Sequence, residues 1–427
     1  MKIETYYKIL NYIKELINGT EFEGHVYSVG GCERDKHLGL KTIKDIDIVI
    51  DLPNGGINFA NWLYNNGFTK GSVVVYENFG TAMFKLKKFP DEEIEAVHTR
   101  KEVYRDKNSR NPETDFGTIN EDCLRRDFTV NALYHNISED KDIDLSGRGF
   151  TDLRDGIIMT CNDPDITFED DPLRIMRAVR FASKYCFGIY SLTTKGIIKN
   201  VNRLKIISQE RITDEFNKIL MSTYPEFGLR LLESFGIMDV IMPEYKCYGK
   251  FSTLLSRIEK LRKSDYYTLE TALGLIFAKN NVEPNTKDLI LKKFKYSNDT
   301  IKEVNLYADN AYRIEFACNA EFDCMVRKIA KLCGDREHFN KLVAVSKAIN
   351  FSGKRGCFDF LEKVSDIDMM FGYKLPINGN DVMETLKIGP CSTIKTVLDK
   401  LMDVAYEDPK ITREFCIETI KIEYGID

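Results

Sequence analysis

The sequence predicts an α+β fold, with a small mixed sheet in the N-terminal third and a mostly helical remainder. Two patterns carry this prediction. Before about residue 140, short runs alternate between apolar and polar residues, and a period of two is typical of strands. After Asp170, apolar residues recur every three or four positions, which is typical of amphipathic helices. The length of 427 residues suffices for about three domains.

The N-terminal third opens with a predicted helix over residues 3–17, where apolar residues recur at helical spacing and Gly19 ends the pattern. The chain then changes to a period of two, and the pair Gly30-Gly31 ends the first apolar run. We therefore expect a sheet with few helices in this part. The predicted strands cover residues 26–29, 43–51, 73–76, 81–87 and 94–99.

Helices are predicted for the rest of the chain. The clearest one covers residues 172–185, where Asp171 is placed as the N-cap. Pro172 falls in the first turn, where its missing N–H group costs no hydrogen bond. Further helices are predicted over 208–220 and across 221–350, with a break at 353–356.

The composition is that of a globular protein, with 43% hydrophobic and 30% charged residues and a mean hydropathy of -0.30. Disordered and fibrous classes are therefore excluded. No run approaches the roughly 20 apolar residues of a membrane helix, and the first residues lack a signal-peptide pattern. We predict a cytoplasmic protein without a membrane partner. The 11 cysteines form no CxxC pair, so neither a disulfide framework nor a zinc site is predicted.

The net charge of -5 argues against a protein whose whole surface coats nucleic acid, but it is compatible with a local basic channel. Residues 1–150 contain 20 basic and 25 acidic residues, so the remainder is neutral. The excess carboxylates of the N-terminal part are candidates to hold divalent cations.

The sharpest local signal is a glycine pair followed by an acidic strand. Gly30 and Gly31 can bring backbone N–H groups close to phosphate oxygens, and Arg34 adds a fixed positive charge. Asp45 and Asp47 lie two apart on a predicted strand, so their carboxylates share a face and repel each other. A divalent cation is the usual compensation, and two-metal phosphoryl transfer needs such ligands. Solvated aspartates at a strand end are the alternative interpretation.

Two further polar elements are candidates for nucleotide recognition. Asp127 and Asn131 are four residues apart and would face a ribose together if the segment were helical. Asp171, which only accepts hydrogen bonds, lies three residues before Arg174, which only donates them. Cytosine and adenine present an amine beside an unprotonated ring nitrogen, so this pair would select them over uracil and guanine. A charged helix start and a capping ion pair are the structural alternatives.

In this order, these elements closely resemble the class II tRNA nucleotidyltransferases, or CCA-adding enzymes, and their bacterial poly(A) polymerase relatives. The matching motifs cover about half of the chain. They are GGxxRD from Gly30, DxD from Asp45, RRDFTxNA from Arg125, DxxxG from Asp152, DPLRIMRAVRFA from Asp171 and ERIxxE from Glu210.

The resemblance implies a polymerase-beta-like nucleotidyltransferase head with a small mixed sheet, followed by an all-helical neck, body and tail. We place the catalytic head at residues 1–145 and the neck, which recognises the nucleotide base, at 146–220. The body at 221–350 and the tail at 351–427 are expected to bind tRNA.

Residue roles follow from the same resemblance. Asp45 and Asp47 are the expected catalytic carboxylates and Mg²⁺ ligands. Glu95 is a candidate to activate the primer 3′-hydroxyl, and an exposed strand carboxylate is the alternative. Asp171 and Arg174 match the protein template that pairs with CTP or ATP. The expected nucleotide-binding residues are Gly30, Gly31, Arg34, Arg126, Asp127, Asn131, Asp171, Arg174, Arg177 and Arg180.

Three further features compare this chain with the pattern of the family. Asp170 stands where glutamate is usual, and Cys32 and Glu33 replace a small or apolar pair. Residues 101–120 form a polar stretch without helix caps that matches the loop used to switch from CTP to ATP, which favours complete CCA addition. The histidines form no metal-phosphohydrolase motif.

The predicted function is stepwise transfer of CMP and AMP, from CTP and ATP, to the 3′ end of tRNA with release of pyrophosphate. An A-adding enzyme and a poly(A) polymerase are the alternatives within this class of enzyme. A catalytically silent RNA-binding module is the alternative outside it. Neither the choice of product nor the oligomeric state can be derived from the motifs.

Overall fold

The computed structural model describes residues 1–77, 80–103, 113–246, 250–278, 284–317, 322–349 and 370–426. The chain divides into two units, Met1–Pro243 and Glu244–Asp427. The first unit therefore holds the predicted head and neck together with the start of the predicted body. The predicted boundary between body and tail lies outside the described residues. The division into four parts stays a prediction.

The first five strands of the first unit lie where the alternating runs predict them, whereas the four strands that follow were not predicted. These strands are β1 (Val26–Val29), β2 (Ile46–Ile50), β3 (Val74–Tyr76), β4 (Thr81–Leu86), β5 (Phe89–His98), β6 (Arg100–Val103), β7 (Glu113–Phe116), β8 (Leu133–Asn136) and β9 (Lys141–Asp144). Seven of them form one sheet in the order β3-β4-β5-β2-β1-β8-β9. Strands β2 and β5 are parallel, and the other neighbours in this sheet are antiparallel. The predicted mixed sheet is confirmed.

The two faces of strand β2 have different surroundings. Ile46, Ile48 and Ile50 pack into the main apolar core, because residues two apart on a strand share a face. Val49 joins a smaller apolar cluster. Asp47 shares the side of Val49, so its carboxylate points away from the main core. The helices that accompany these strands are α1 (Ile3–Ile17), α2 (Gly31–His37), α3 (Gly55–Asn65) and α4 (Ile119–Leu124).

The remainder of the first unit is mostly helical, as predicted, but the predicted neck is not entirely helical. Two short strands pair in parallel after helices that end in left-handed residues, Gly156 and Cys186. Such a residue ends a helix and redirects the chain. The elements are α5 (Gly149–Asp155), β10 (Ile157–Ile158), α6 (Pro164–Asp170), α7 (Leu173–Tyr185), β11 (Gly188–Ile189), α8 (Ser191–Asn200), α9 (Gln209–Leu220), α10 (Pro225–Ser234) and α11 (Ile237–Ile241).

The predicted loop over 101–120 is partly wrong. Its ends pair as an antiparallel ribbon of β6 and β7, α4 follows, and residues 104–112 lie outside the described residues. Helix α4 also has caps: the Thr118 hydroxyl accepts a hydrogen bond from the Glu121 N–H at 3.3 Å, and the Glu121 carboxylate accepts one from the Thr118 N–H at 2.8 Å. The Thr-x-x-Glu pattern of a capping box is present in the sequence, but its polar surroundings hide it.

Helix α7 begins one residue later than predicted. Pro172 is its N-cap, and Asp171 follows the end of α6. The Asp171 Oδ1 atom still accepts a hydrogen bond from the Leu173 N–H at 3.0 Å, so this carboxylate satisfies the helix start as expected.

The second unit is helical throughout its described residues, and the predicted break at 353–356 lies outside them. Val382, Leu401 and Ile420 belong to an apolar cluster formed by its last three helices. In the part of the chain that the structure describes, no helix is long and apolar enough to cross a membrane. The helices are α12 (Phe251–Arg262), α13 (Leu269–Ile276), α14 (Pro284–Lys293), α15 (Asn298–Ala317), α16 (Phe322–Cys333), α17 (Arg336–Ile349), α18 (Gly379–Leu386), α19 (Ser392–Glu407) and α20 (Arg413–Tyr424).

Gly56 allows α3 to lie directly on β5. A Cβ atom at this position would meet the Ala96 carbonyl oxygen at 2.6 Å and the Val97 Cα atom at 2.7 Å. Because backbone atoms of a central strand cannot move cheaply, we expect Gly56→Ala to lower the free energy of unfolding by about 1–3 kcal/mol, measured by urea denaturation. Gly188→Ala is the matched control, since its Cβ would meet nothing closer than 3.9 Å. Equal stability of the two variants would contradict this packing.

Candidate active site

A cavity of about 560 Å³ in the first unit brings together almost all of the predicted site residues. Twelve of the thirteen line it, and Glu95 is the exception. They come from the residues around α2, from β2, from the segment 125–131 and from α7 and its N-terminal end. The other lining residues are Cys32, Asp35, Lys44, Arg100, Arg125, Leu173, Phe181, Lys184 and Arg211.

The cavity is strongly basic although the chain is acidic. Its lining contains eight arginines and two lysines against five aspartates, an excess of five positive charges in a chain of net charge -5. A concave site with such an excess attracts polyanions, because the walls focus the field into the cavity. The local basic channel that the net charge allowed is therefore present.

Two carboxylates of this lining are suited to a divalent cation. Asp47 lies on β2, and Asp45 directly precedes this strand with a side chain that is 69% exposed. Burial raises the pKa of Asp47 to about 6, and repulsion from Glu95 and Asp45 adds to this effect. Arg126 and Arg34 act in the opposite direction. Carboxylates held together at such a cost are oxygen ligands for a hard cation, so the donor set fits a divalent metal.

Glu95 lies beside Asp47 on the neighbouring strand of the sheet, but it does not line the cavity. Because β2 and β5 are parallel neighbours, Asp47 and Glu95 are direct partners in the register. Glu95 is exposed and does not line the cavity. Its role in activating a hydroxyl group stays a prediction.

The glycine pair lets the backbone approach the cavity closely. Gly30 has a φ of 82°, a conformation that favours glycine, and Gly31 begins α2. A Cβ on Gly30 would lie 3.6 Å from Arg126 Nη1 and 3.8 Å from Asp47 Oδ2. Gly30 and Gly31 line the cavity, so their backbone N–H groups are compatible with the predicted contact with phosphate.

Arg34 is held by other protein groups. It is 5% exposed, and its guanidinium group lies 5.1 Å from the ring centroids of both Phe181 and Tyr185. Its Nε atom donates to Asp35 Oδ1 at 2.8 Å and its Nη1 atom to Asn131 Oδ1 at 2.5 Å. Arg34 therefore connects α2 with α7 and with the segment of Asn131, and its predicted contact with a triphosphate is a separate role.

Asp122 orients the two arginines of the RRD motif. It is fully buried and lies 2.5 Å from Arg125 Nη2 and 2.9 Å from Arg126 Nη2, and it accepts a hydrogen bond from Tyr134 Oη at 2.8 Å. Although burial acts against ionisation, these partners lower the pKa of Asp122 to about 2. The sequence analysis did not single out Asp122, although its spacing of three and four residues to the arginines is a helical ion-pair pattern.

Asp127 forms the most completely bonded carboxylate of the lining. Its Oδ1 atom accepts hydrogen bonds from Asn131 Nδ2 at 3.0 Å and from the Phe128 N–H at 2.8 Å. Its Oδ2 atom accepts from Nε and Nη2 of Arg177 at 2.8 and 2.6 Å. Despite burial, Arg177 and Asn131 lower the pKa of Asp127 to about 2. Asp127 and Asn131 do meet, but through a 3₁₀ turn at Thr129–Asn131 rather than through the α-helix that was considered.

A basic stripe on α7 forms one wall of the cavity. Arg174 donates to the Arg125 carbonyl oxygen at 2.7 Å, and Arg180 lies 2.7 Å from Glu215. Lys184 continues the spacing of Arg177 and Arg180 and also lines the cavity. The sequence analysis missed Lys184, although the helical spacing signals it. It also missed Arg100, for which no pattern was available.

Asp171 and Arg174, the predicted base-recognition pair, are each held by a hydrogen bond to another part of the first unit. Asp171 Oδ2 accepts from Arg211 Nη2 at 3.1 Å, and the Asp171 side chain is 27% exposed. Arg174 donates to the Arg125 carbonyl oxygen, as described above. Both side chains therefore have fixed positions at the cavity wall.

A second group of potential metal ligands combines residues of α2, β8 and β9. Glu33, His135 and Asp142 offer ligand atoms within 4.8 Å of one another. Lys36 Nζ, however, lies 2.5 Å from Glu33 Oε2 and 2.7 Å from Asp142 Oδ1. The lysine ammonium thus supplies the positive charge, and the network explains how a buried glutamate is tolerated within the GGxxRD motif.

The sheet, the paired carboxylates and the basic cavity define a nucleotidyltransferase head. Residues 26–159 match the family model described as Poly A polymerase head domain. Residues 186–248 match the model described as probable RNA and SrmB-binding site of polymerase A.

Curated relatives specify the family. The chain is 31% identical over 309 residues to the CCA-adding enzyme of Limosilactobacillus reuteri, which covers 71% of this chain and 72% of that relative. It is 25% identical over 478 residues to the tRNA nucleotidyltransferase cca2 of Schizosaccharomyces pombe, with 96% of both chains covered. The mitochondrial CCA tRNA nucleotidyltransferase of Candida glabrata is 37% identical over 233 residues, and the match covers 50% of this chain and 42% of that relative. The chain belongs to the family of CCA-adding enzymes, and the predicted family is confirmed.

Solved structures agree on the fold. A CCA-adding enzyme in apo form II has a TM-score of 0.72 at 23% identity, with 99% of this chain and 96% of that chain covered. The Thermotoga maritima CCA-adding enzyme complexed with tRNA has a TM-score of 0.68 at 23% identity, with 99% and 95% covered. The predicted α+β class with its polymerase-like head and mostly helical remainder is confirmed.

Asp47 carries a stability cost that its replacement should reveal. Its carboxyl group binds a proton more tightly in the folded chain, with a pKa of about 6, than in an unfolded chain, where the usual value is about 3.9. The folded state therefore loses stability as the pH rises from about 4 to about 6, and the loss persists above that range. At pH 7.5 without metal, we expect Asp47→Asn to raise the free energy of unfolding by about 1–3 kcal/mol.

Chemical denaturation in a chelating buffer measures this difference. The gain should vanish below about pH 4, where the Asp47 carboxyl group of the parent is protonated and therefore uncharged, like the amide of the variant. Asp91→Asn, which removes an exposed carboxylate from β5, is the matched control and should leave the stability unchanged. A variant at Asp47 that is no more stable than the parent at pH 7.5 would contradict the raised pKa.

Proposed function

We propose that this chain adds CCA to the 3′ end of tRNA, transferring CMP and AMP from CTP and ATP and releasing pyrophosphate. The observation that carries the proposal is the combination, in one cavity, of the Asp45–Asp47 carboxylate pair with an excess of five positive charges. The carboxylates suit a cation, and the excess charge suits a triphosphate and an RNA end. Membership of the family of CCA-adding enzymes supports the same activity. The predicted cytoplasmic location belongs to this proposal.

Mg²⁺ at Asp45 and Asp47 would neutralise charge on the triphosphate and favour ionisation of the attacking 3′-hydroxyl. The chain itself orients the reactants. Arg126, fixed by Asp122, directs its guanidinium group towards the space beside Asp47. Lys184 extends the same positive wall along α7. These groups are suited to hold the phosphates while the hydroxyl attacks in line.

Base selection is assigned to Asp171 and Arg174. Asp171 accepts hydrogen bonds and Arg174 donates them, so they match the amine and ring nitrogen shared by cytosine and adenine. Arg211 and the Leu173 N–H hold the Asp171 carboxylate in place. Asp127 and Asn131, joined by a hydrogen bond of 3.0 Å, are proposed to support the sugar. The predicted body and tail are proposed to bind the tRNA.

Primer extension separates this proposal from its alternatives. One tRNA is transcribed in three forms that end before the CCA, after the second C and after the terminal A, and CTP and ATP are supplied singly and together. We expect stepwise addition that stops at CCA, depends on Mg²⁺, and falls by at least about a thousandfold in Asp45→Ala and Asp47→Ala.

Other outcomes identify the alternatives. Extension of the form ending in CC by one AMP alone would identify an A-adding enzyme, and long A tails on any RNA would identify a poly(A) polymerase. Binding of tRNA without incorporation would identify a silent RNA-binding module. Asp91→Asn, on the exposed part of β5, is the control for both carboxylate variants.

Asp171→Asn tests base selection. An amide can donate as well as accept, so it can pair with the carbonyl oxygen that uracil presents where cytosine has an amine. We expect the ratio of UMP to CMP incorporation to rise by about tenfold, which corresponds to one altered polar contact. Single-nucleotide incorporation with UTP and CTP measures this ratio. Glu169→Gln, nearby on α6 and outside the cavity lining, is the control, and an unchanged ratio in Asp171→Asn would contradict the assignment.

A further inference from the structure

Two aromatic side chains of α7 lie among the cations of the cavity wall. Phe181 and Tyr185 are one helical turn apart, and their rings are stacked with an interplanar angle of 7° and 6.4 Å between the centroids. Phe181 lines the cavity and is 5% exposed. Tyr185 is the last residue of α7 and is partly buried. We call these two residues the α7 aromatic pair.

The Phe181 ring lies among three arginines. The guanidinium group of Arg180 lies 4.3 Å from the ring centroid, that of Arg34 5.1 Å and that of Arg177 5.5 Å. A cation within about 6 Å of an aromatic centroid is attracted by the negative face of the ring. One apolar side chain therefore offsets part of the repulsion among three like charges.

The Tyr185 ring contacts two cations and is itself fixed by a hydrogen bond. The Arg34 guanidinium group lies 5.1 Å from its centroid, and the Lys184 ammonium group lies 4.7 Å from it. The Tyr185 hydroxyl donates to Asp35 Oδ1 at 2.8 Å, and Arg34 Nε donates to the same oxygen atom at 2.8 Å. Tyr185 therefore joins the end of α7 to α2, directly beside the guanidinium group of Arg34.

The four cations around the pair are held together against their mutual repulsion. Arg34, Arg177 and Arg180 each form an ion pair with one carboxylate. Burial lowers the pKa of Lys184. The charges of Arg34 and Arg180 add to this effect, and Asp35 opposes it. Like charges gathered in a cavity are typical of a functional site, where a ligand of opposite charge relieves the repulsion.

We propose that the α7 aromatic pair positions these cations for the triphosphate, so that Phe181 and Tyr185 are positioning residues of the reaction. Without the rings, repulsion would move the cations apart and towards the carboxylates that they already contact. A triphosphate would then have to draw them back into place, and a site that is not preorganised binds its ligand more weakly. This inference rests on the proposed function and deepens it, because it names what keeps the cations available for the nucleotide.

The test measures the binding of inorganic triphosphate to the full chain by calorimetry, in a chelating buffer so that the side-chain cations alone bind it. Phe181→Leu keeps an apolar side chain but removes the ring. We expect the affinity to fall by about tenfold, because three cation–ring contacts are lost. Tyr185→Leu, at a position that is only partly buried, should weaken binding by about fivefold. Tyr185→Phe keeps the ring and should bind within about twofold of the parent.

Phe168→Leu is the matched control for lost packing. This variant removes a fully buried ring from α6, outside the cavity lining, and should bind triphosphate like the parent. Primer extension adds a kinetic readout. Phe181→Leu should raise the KM for CTP by about tenfold and leave the ratio of CMP to UMP incorporation unchanged, because base selection is assigned to other side chains.

Four results would overturn the proposal. The first is unchanged affinity for triphosphate in both Phe181→Leu and Tyr185→Leu. The second is an equal loss in Phe168→Leu, which would indicate packing alone. The third is an equal loss in Tyr185→Phe and Tyr185→Leu, which would assign the effect to the hydrogen bond with Asp35. The fourth is a parent protein that binds no triphosphate.

Failure of the proposed function has a different signature. In that case the parent binds triphosphate but incorporates no nucleotide into any of the three tRNA forms. The calorimetric comparison of the variants needs no catalysis, so it still tests the α7 aromatic pair.

Discussion

An ion pair between a buried aspartate and a half-buried arginine fixes the geometry of the cavity. Arg177 on α7 donates two hydrogen bonds to Oδ2 of Asp127, and Asp127 in turn holds Asn131. Because Asn131 accepts a hydrogen bond from Arg34, the same network extends to α2. The glycine backbone, the RRD motif and the base-recognition helix are thereby held in one frame. Removing Arg177 would leave the buried Asp127 carboxylate without this compensating charge, so the positions of α2, α7 and the Asn131 segment depend on the pair.

Around this frame, the site keeps a charge arrangement that disfavours folding. The parallel pairing of β2 and β5 sets Asp47 beside Glu95, and burial adds to their repulsion. Arg126, the positive charge that acts most strongly on Asp47, is already paired with Asp122. Strongly shifted carboxylates of this kind concentrate at functional sites, where a ligand supplies the missing charge. The repulsion around Asp47 therefore lowers the stability of the fold, and the same carboxylates are suited to bind a cation.

Local patterns predicted much of the fold, because they report local geometry. Alternation located β2, with Ile48 in the core and Asp47 outside it, and helical spacing located α7. The same spacing extends to Lys184, which the sequence analysis could have found. The contact of Asp127 with Arg177 could not be predicted from spacing, because 50 residues separate them and only tertiary folding joins them. The family resemblance predicted which residues belong to the site, and the structure showed the hydrogen bonds and ion pairs that join them.

The excess of positive charge in the cavity also has a consequence for turnover. In the proposed reaction, the leaving pyrophosphate remains a multiply charged anion after the nucleotide has been transferred. The arginines and Lys184 that attract the triphosphate therefore hold this product by the same field. The same charge that favours capture of the triphosphate therefore slows release of the product, a step that limits turnover in many enzymes. Salt, which screens this field, then speeds departure while it weakens capture.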